Sequence, residues 1–289
     1  MISAAPGTRD DIAEGIDLEA DHPFFSSWAH ADRFIAAAVL PHAARWRGRR
    51  IQVVDFGGGQ GLLAERCAQA LRTQGVDVHA CVVEANPVFA ARARRRGLAA
   101  IETDIRCYAG APADLALMRL VLHYNPAHAQ SALLEHVRRH VINGGLFVLQ
   151  FESGETPACE LRNRIAAVCG EWTGTSPRFW ADMPTMLHWL RNAGFDNVAM
   201  VDEPEYDSDM IAIVRDAWRR QRTVLTSAGV TETVFYRMCT DVVFAARRGG
   251  APYDKGGRLT IKTSCPVVSA TCTAPHAEHI SAQRRKATQ

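Results

Sequence analysis

The stretch Ile51-Gln-Val-Val-Asp-Phe-Gly-Gly-Gly-Gln-Gly61 decides the fold. Val53 and Val54 are β-branched and apolar, as a parallel strand buried on both faces requires. Asp55 stands at the carboxyl end of that strand. Gly57, Gly59 and Gly61 then let the backbone turn sharply and approach a ligand with no Cβ in the way. Leu62, Leu63, Cys67 and Leu71 recur at helical spacing. Strand, acid, glycine turn and helix follow one another, and open α/β sheets bind ligands beyond the carboxyl ends of their strands.

Two nucleotide-type ligands compete for this turn. Gly59-Gln-Gly-Leu-Leu-Ala64 fits the dinucleotide pattern G-x-G-x-x-G/A, and Glu84 lies roughly 20 residues on, where a ribose-binding acid belongs. That reading implies an NAD(P)-dependent oxidoreductase. Asp55, Gly57, Gly59 and Gly61 also spell D-x-G-x-G-x-G, which resembles motif I of class I S-adenosylmethionine (SAM) methyltransferases. Asp55 favours the second reading. A carboxylate beside a pyrophosphate is a like-charge contact, whereas SAM carries an ammonium and a sulfonium. The dinucleotide pattern also places its first glycine directly after the strand, and Gly59 comes late. A non-catalytic methyltransferase-like module that binds SAM or a partner is the third alternative.

Segments downstream follow the order this family requires. His79-Ala-Cys-Val-Val-Glu84 reads as a second strand, and Asn86 with Pro87 opens the next helix. The resemblance implies that Glu84, next to Ala85, takes the two ribose hydroxyls of SAM. It implies that Asp104 accepts from the adenine amino group and that Ile105 packs on the ring. Ala113 to Arg119 is the fourth strand. The run Arg119-Leu-Val-Leu-His-Tyr124 resembles the post-strand segment of small-molecule methyltransferases of the type 11/12 group, with Arg119 and Leu120 beside the cofactor. His123 is then the candidate general base and Tyr124 a substrate contact. The D/N-P-P-Y/F box of amino-methylating nucleic-acid enzymes does not occur here, which argues against adenine-N6 methylation.

Ala127 to Val141 reads as a helix, Leu146 to Phe151 as the fifth strand, Met183 to Asn192 as a helix capped by Asp182, and Val198 to Val201 as a sixth strand. Thr233 to Ala246 is expected as the hairpin-like final strand. The expected fold is α/β: a Rossmann-like seven-stranded methyltransferase sheet, its last strand antiparallel, with helices on both faces. Its expected organisation is an N-terminal segment and lid helix over 1–48, a methyltransferase domain over 49–246 with an insertion at about 152–182, and a tail over 247–289. The aromatics Trp172, Phe179 and Trp180 mark the insertion as lid or satellite core.

The chain has 289 residues, 33 Lys and Arg against 31 Asp and Glu, and 47% hydrophobic residues. That composition suits one large α/β domain. No apolar run approaches the ~20 residues that span a bilayer. The first residues lack the apolar stretch of a signal peptide. The eight cysteines are scattered, with no C-x-x-C, as reduced packing residues of a cytoplasmic protein would be; a bound metal is not expected. Residues 247–289 carry eight basic and two acidic side chains and lack periodicity, so they are expected to be disordered. The remaining body is net acidic, which disfavours an extended nucleic-acid footprint. Arg92, Arg94, Arg95 and Arg96 read as a solvated helix end complementing the helix dipole. The expected function is transfer of a methyl group from SAM to an oxygen or nitrogen of a small molecule, in secondary metabolism.

Overall fold

A computed structural model describes residues 28–174, 178–249, 253–256 and 258–272. The described residues open on α1 (Trp28–Ala38), then run through β1 (Arg50–Phe56), α2 (Leu62–Thr73), β2 (Asp77–Glu84), α3 (Pro87–Arg95) and β3 (Ala99–Glu102). They continue with β4 (Ala113–Arg119), α4 (Ala127–Arg139), β5 (Val141–Gln150), α5 (Pro157–Thr173), α6 (Met183–Asn192) and β6 (Asp196–Asp202). Last come β7 (Glu205–Asp209), α7 (Met210–Ser227), α8 (Glu232–Gly249), β8 (Tyr253–Lys255), β9 (Arg258–Ser264) and β10 (Val267–Thr271).

Seven strands form one sheet in the order β3-β2-β1-β4-β5-β10-β6. β1 pairs in parallel with β2 and β4, while β10 runs antiparallel between β5 and β6. Side-chain alternation fills both faces. Val53, Leu115, Leu117, Leu146 and Val148 join Phe34, Ile35, Trp46 and Leu71 on one side. Val54, Ala116, Met118, Phe147 and Leu149 join Leu133, Leu134, Met186 and Leu190 on the other. Each buried aliphatic chain contributes roughly 1.5–3 kcal/mol relative to exposure.

The expected helices and their caps recur. Asn86 accepts from the N–H groups of Val88 and Phe89 at 2.9 and 3.3 Å, and Asp182 accepts from Thr185 N–H at 2.8 Å. Helix α1 differs from the lid expected of it. Phe34, Ile35 and Ala38 are buried on the sheet, so it is a core helix. The rest of the N-terminal segment, up to residue 27, lies outside the described residues.

The carboxyl-terminal third departs most from the sequence reading. Residues 233–246, expected as the final strand, lie in α8. Phe235, Cys239, Val242 and Val243 are spaced at i, i+4, i+7 and i+8, which is a helical stripe, and α8 is far longer than a strand. The antiparallel strand is β10, inside the stretch expected to be a disordered tail. The charges of that stretch flank an uncharged, apolar and β-branched run from Thr263 to Cys272, which averaging over the whole tail hid. Residues 273–289 lie outside the described residues.

A second small unit stands between β6 and β10. β7, β9 and β8 make a three-stranded sheet against α5 and α7, and α8 packs on those two helices. Its core holds Leu161, Ile165, Cys169, Met210, Ile213, Leu225, Phe235, Cys239 and Ile261. The expected insertion at about 152–182 is therefore half of a cap, completed by residues from β7 to β9. No helix among the described residues is long and apolar enough to cross a membrane.

Candidate functional site

The glycine turn is built by backbone strain and close packing. Gly57, Gly59 and Gly61 have φ of 71°, 54° and 85°, the left-handed region that L side chains avoid. A Cβ on Gly57 would stand 2.6 Å from Val121 Cγ2, and one on Gly58 would stand 2.6 Å from Asp55 Oδ2. The backbone of the turn thus lies directly over the Asp55 carboxylate. Asp55 is 1% exposed at the end of β1.

Glu84 ends the neighbouring β2. Its Oε2 accepts from Gly59 N–H at 3.0 Å and its Oε1 from Asn86 N–H at 2.8 Å. One carboxylate thereby ties the glycine turn to the start of α3. Burial pushes the Glu84 carboxyl above its ordinary value, and backbone N–H donors from Asn86, Gly59 and Ala85 oppose that. Each oxygen keeps a further lone pair for a ligand hydroxyl.

Asp104 and Ile105 follow β3. Asp104 accepts from Arg106 through the backbone N–H at 2.8 Å and the guanidinium at 2.9 and 2.5 Å. These bonds, the side-chain ones foremost, draw its carboxyl down. Ile105 belongs to the core around Val54 and Phe56. Arg119, at the end of β4, donates Nε–H to Gln150 Oε1 at 2.9 Å. Leu120 follows with φ of 59°, buried against Cys265. A bulky residue in that conformation stores strain of order 1–3 kcal/mol, and such strain clusters at functional turns.

The turn after β4 carries His123 and Tyr124, with ring centroids 4.3 Å apart. Trp180 stacks on His123 at 5.4 Å with planes 11° apart. Burial first, then the charges of Arg178, Arg162 and Arg220, hold His123 down at about 4, against the raising effect of Glu152. The ring is therefore neutral at pH 7 and accepts a proton poorly. Burial thus leaves the ring in the unprotonated form but weakens it as a base.

Sequence reasoning missed the group that surrounds His123. Glu152 Oε2 accepts from Trp180 Nε1–H at 2.6 Å, and Oε1 accepts from the Tyr206 hydroxyl. Arg162 lies 3.7 Å away and His123 Nδ1 lies 3.8 Å away. Burial alone would raise the Glu152 carboxyl, but Arg162, His123, Tyr206 and Trp180 together bring it to about 2. Arg162 also donates to Tyr206, Ser208 and Thr263 oxygens, each at 3.3 Å. An acid just past the end of β5 was the available signal for Glu152. Its partners come from α5, β7 and the loop before α6, which no local pattern connects.

Asp55 and Glu84 stand at adjacent strand ends joined by the glycine turn, on a seven-stranded sheet of the class I methyltransferase kind. A family described as a methyltransferase domain matches residues 27–200. The chain belongs to that family, whose methyl donor is SAM. Among solved structures it is similar to a candidate methyltransferase of Bacillus halodurans C-125, with TM-score 0.59, 13% identity, and coverage of 85% of this chain and 100% of the other. It is also similar to the YcgJ protein of Bacillus subtilis, with TM-score 0.56, 12% identity, and coverage of 84% and 100%. An O-methyltransferase family protein of Burkholderia thailandensis gives TM-score 0.51, 14% identity, and coverage of 93% and 64%. A search of curated proteins found no match.

Proposed function

We propose that the chain moves a methyl group from SAM to an oxygen or nitrogen atom of a small molecule, in the cytoplasm and as a step of secondary metabolism. The placement of Asp55 and Glu84 around the Gly57–Gly61 turn carries this reading. Two carboxylates suit the ammonium and the ribose hydroxyls of SAM and disfavour the pyrophosphate of NAD(P). The residues present fit the donor. Glycines at 57, 58 and 61 leave a cradle in which a Cβ would collide with Val121, Asp55 or Leu98.

In this reading Asp55 and the Gly57, Gly59 and Gly61 backbone hold the amino-acid end of SAM. Glu84 and Ala85 hold the ribose, Asp104 and Ile105 the adenine, and Arg119 with Leu120 the strand-four edge. SAM supplies an activated methyl with a good leaving group. The chain's contribution is alignment and exclusion of water, and alignment alone can account for a large share of the acceleration. His123 and Tyr124 are acceptor-side catalytic contacts, with His123 acting as a neutral hydrogen-bonding ring.

Calorimetry with SAM, S-adenosylhomocysteine, NAD and NADP tests the donor. The first two should bind and the last two should not; comparable affinity for NAD would overturn the reading. A mass-spectrometric screen of metabolites with labelled SAM tests transfer to a small molecule.

A further inference from the structure

His136, in the last turn of α4, reaches across to the turn that follows β3. Its Nε2–H donates to the Tyr108 carbonyl at 3.1 Å. A carbonyl oxygen only accepts, so Nε2 carries the hydrogen. Nδ1 then accepts from the Arg139 guanidinium, which only donates, at 3.2 Å. Both partners select the same neutral tautomer. His140 adds a second tie. Its Nδ1–H donates to the His136 carbonyl at 3.2 Å, and its ring lies 4.6 Å from that of His136 and 4.9 Å from that of Tyr108.

Tyr108 closes one tight turn that begins at Asp104. Cys107 N–H donates to the Asp104 carbonyl at 2.9 Å, and Tyr108 N–H donates to the Ile105 carbonyl at 3.1 Å. Asp104 and Ile105 therefore share a hydrogen-bonded loop with the carbonyl that His136 holds. The Tyr108 ring is buried, edge-on to Phe56 at 5.3 Å, and its hydroxyl donates to the Ala111 carbonyl at 2.8 Å. Phe56 is the residue after Asp55 in β1. A Cβ on Gly110 would stand 2.5 Å from the Tyr108 hydroxyl oxygen, so the loop closes tightly over the ring.

Asp104 has little acceptor capacity to spare. A carboxylate offers about four acceptor positions. Arg106 takes three of them: its backbone N–H and Nε–H go to Oδ1, and Nη2–H goes to Oδ2. Among the described residues that leaves one position, on Oδ2, for a ligand amino group. A single hydrogen bond is lost when its partners separate by about 0.5 Å beyond the usual distance, so the placement of the loop decides whether it forms.

Resting on the methyltransferase reading and its assignment of adenine to Asp104, we propose that His136 is a positioning residue for the donor. By holding the Tyr108 carbonyl it fixes the Asp104–Tyr108 turn where Asp104 Oδ2 accepts from the adenine amino group. It acts through the turn and not on SAM itself. It thereby sets how well the site tells adenine from a purine that lacks the amino group.

The test is calorimetry with S-adenosylhomocysteine and with S-inosylhomocysteine, which carries a carbonyl in place of the adenine amino group. It is run on the unsubstituted protein, H136Q, H136M and H136A. Gln keeps an N–H donor where Nε2 stood, and Met is of similar length without a donor. Ala, well tolerated in a helix, is a second variant without one. The unsubstituted protein should prefer the adenosyl compound by about ten- to a hundredfold, as one hydrogen bond to a charged group allows. H136M and H136A should weaken the adenosyl compound by about tenfold and the inosyl compound far less, so the preference narrows. H136Q should keep most of it. Urea denaturation gives the stability of each variant; a merely structural role would lower stability and leave the preference alone. A folded H136M or H136A protein with the full preference, or an H136Q protein that loses it as they do, overturns the positioning role. Equal affinity of the unsubstituted protein for the two compounds overturns it as well, by removing the adenine amino group from Asp104. Failure to bind S-adenosylhomocysteine at all overturns the methyltransferase reading instead.

Discussion

Gly57 and Val121 touch across the β1 and β4 ends so closely that a Cβ at residue 57 would lie 2.6 Å from Val121 Cγ2. The donor turn and the acceptor segment are therefore one packed unit. Gly57→Ala meets both that collision and a φ of 71°. It should cost about 2–4 kcal/mol by urea denaturation and weaken SAM binding. Adding Val121→Ala should recover only part of the loss, because it removes the collision and leaves the backbone strain. Full recovery would show that strain plays no part.

Glu84 serves the fold as well as the ligand, since it accepts from Gly59 and Asn86. Glu84→Ala should weaken SAM by about 2–4 kcal/mol through the loss of overlapping charge-assisted bonds. It should also cost stability by about 1–3 kcal/mol, because two N–H groups lose their acceptor. Glu84→Gln keeps one acceptor oxygen and should fall between. Unchanged SAM affinity in a folded Glu84→Ala protein rejects the ribose assignment.

The Glu152–His123 pair sets the acid response. In the folded state His123 sits at about 4 against an ordinary 6.5, so the unfolded chain binds the proton first. Stability should fall as pH drops from about 6.5 to about 4. Glu152 sits at about 2 against an ordinary 4.5, so its contribution is complete above about 4.5 and lost as pH falls toward 2. Denaturation midpoints from pH 8 to 3 should decline through both windows, and His123→Gln should shrink the upper one, which His30, His42, His136 and His140, also lowered by burial, keep in part. The turnover profile should lack a histidine limb between about pH 6 and 8. A limb near 6.5 that His123→Gln abolishes would restore this residue as a base.

Glu152→Gln leaves Arg162 buried without its counter-charge. Breaking such a pair costs about 3–5 kcal/mol. The double change Glu152→Gln with Arg162→Met should be milder than the single one, because it removes both buried charges. Chemical denaturation of the two variants decides it; a harmless single change would mean that water or another group compensates Arg162.

The sheet from β1 to β5 was legible because it obeys local rules. Val53 and Val54 alternate into opposite faces, glycines mark the turn, and Asn86 and Asp182 announce helix starts. Glu84 was legible because its position follows from the turn. The cap was not. Tyr206, Arg162 and Glu152 meet only because β7, α5 and the β5 exit converge, and sequence separation hides that convergence. β10 was obscured by its neighbours' charge, and α8 by apolar residues that fit two periods over a short window.

β10 sits inside the sheet, between β5 and β6, although it is the last strand among the described residues. A ribosome must therefore release residues through Thr271 before the gap between β5 and β6 can close. Until then both strands present unpaired edges, while the cap between β6 and β10 has already emerged. Such late, long-range closure slows folding and exposes strand edges to other nascent chains. A chain stopped at residue 248 should fail to unfold cooperatively and should precipitate. The price of placing a late strand next to the sheet's edge is that premature termination before it cuts β6 off from the other five strands.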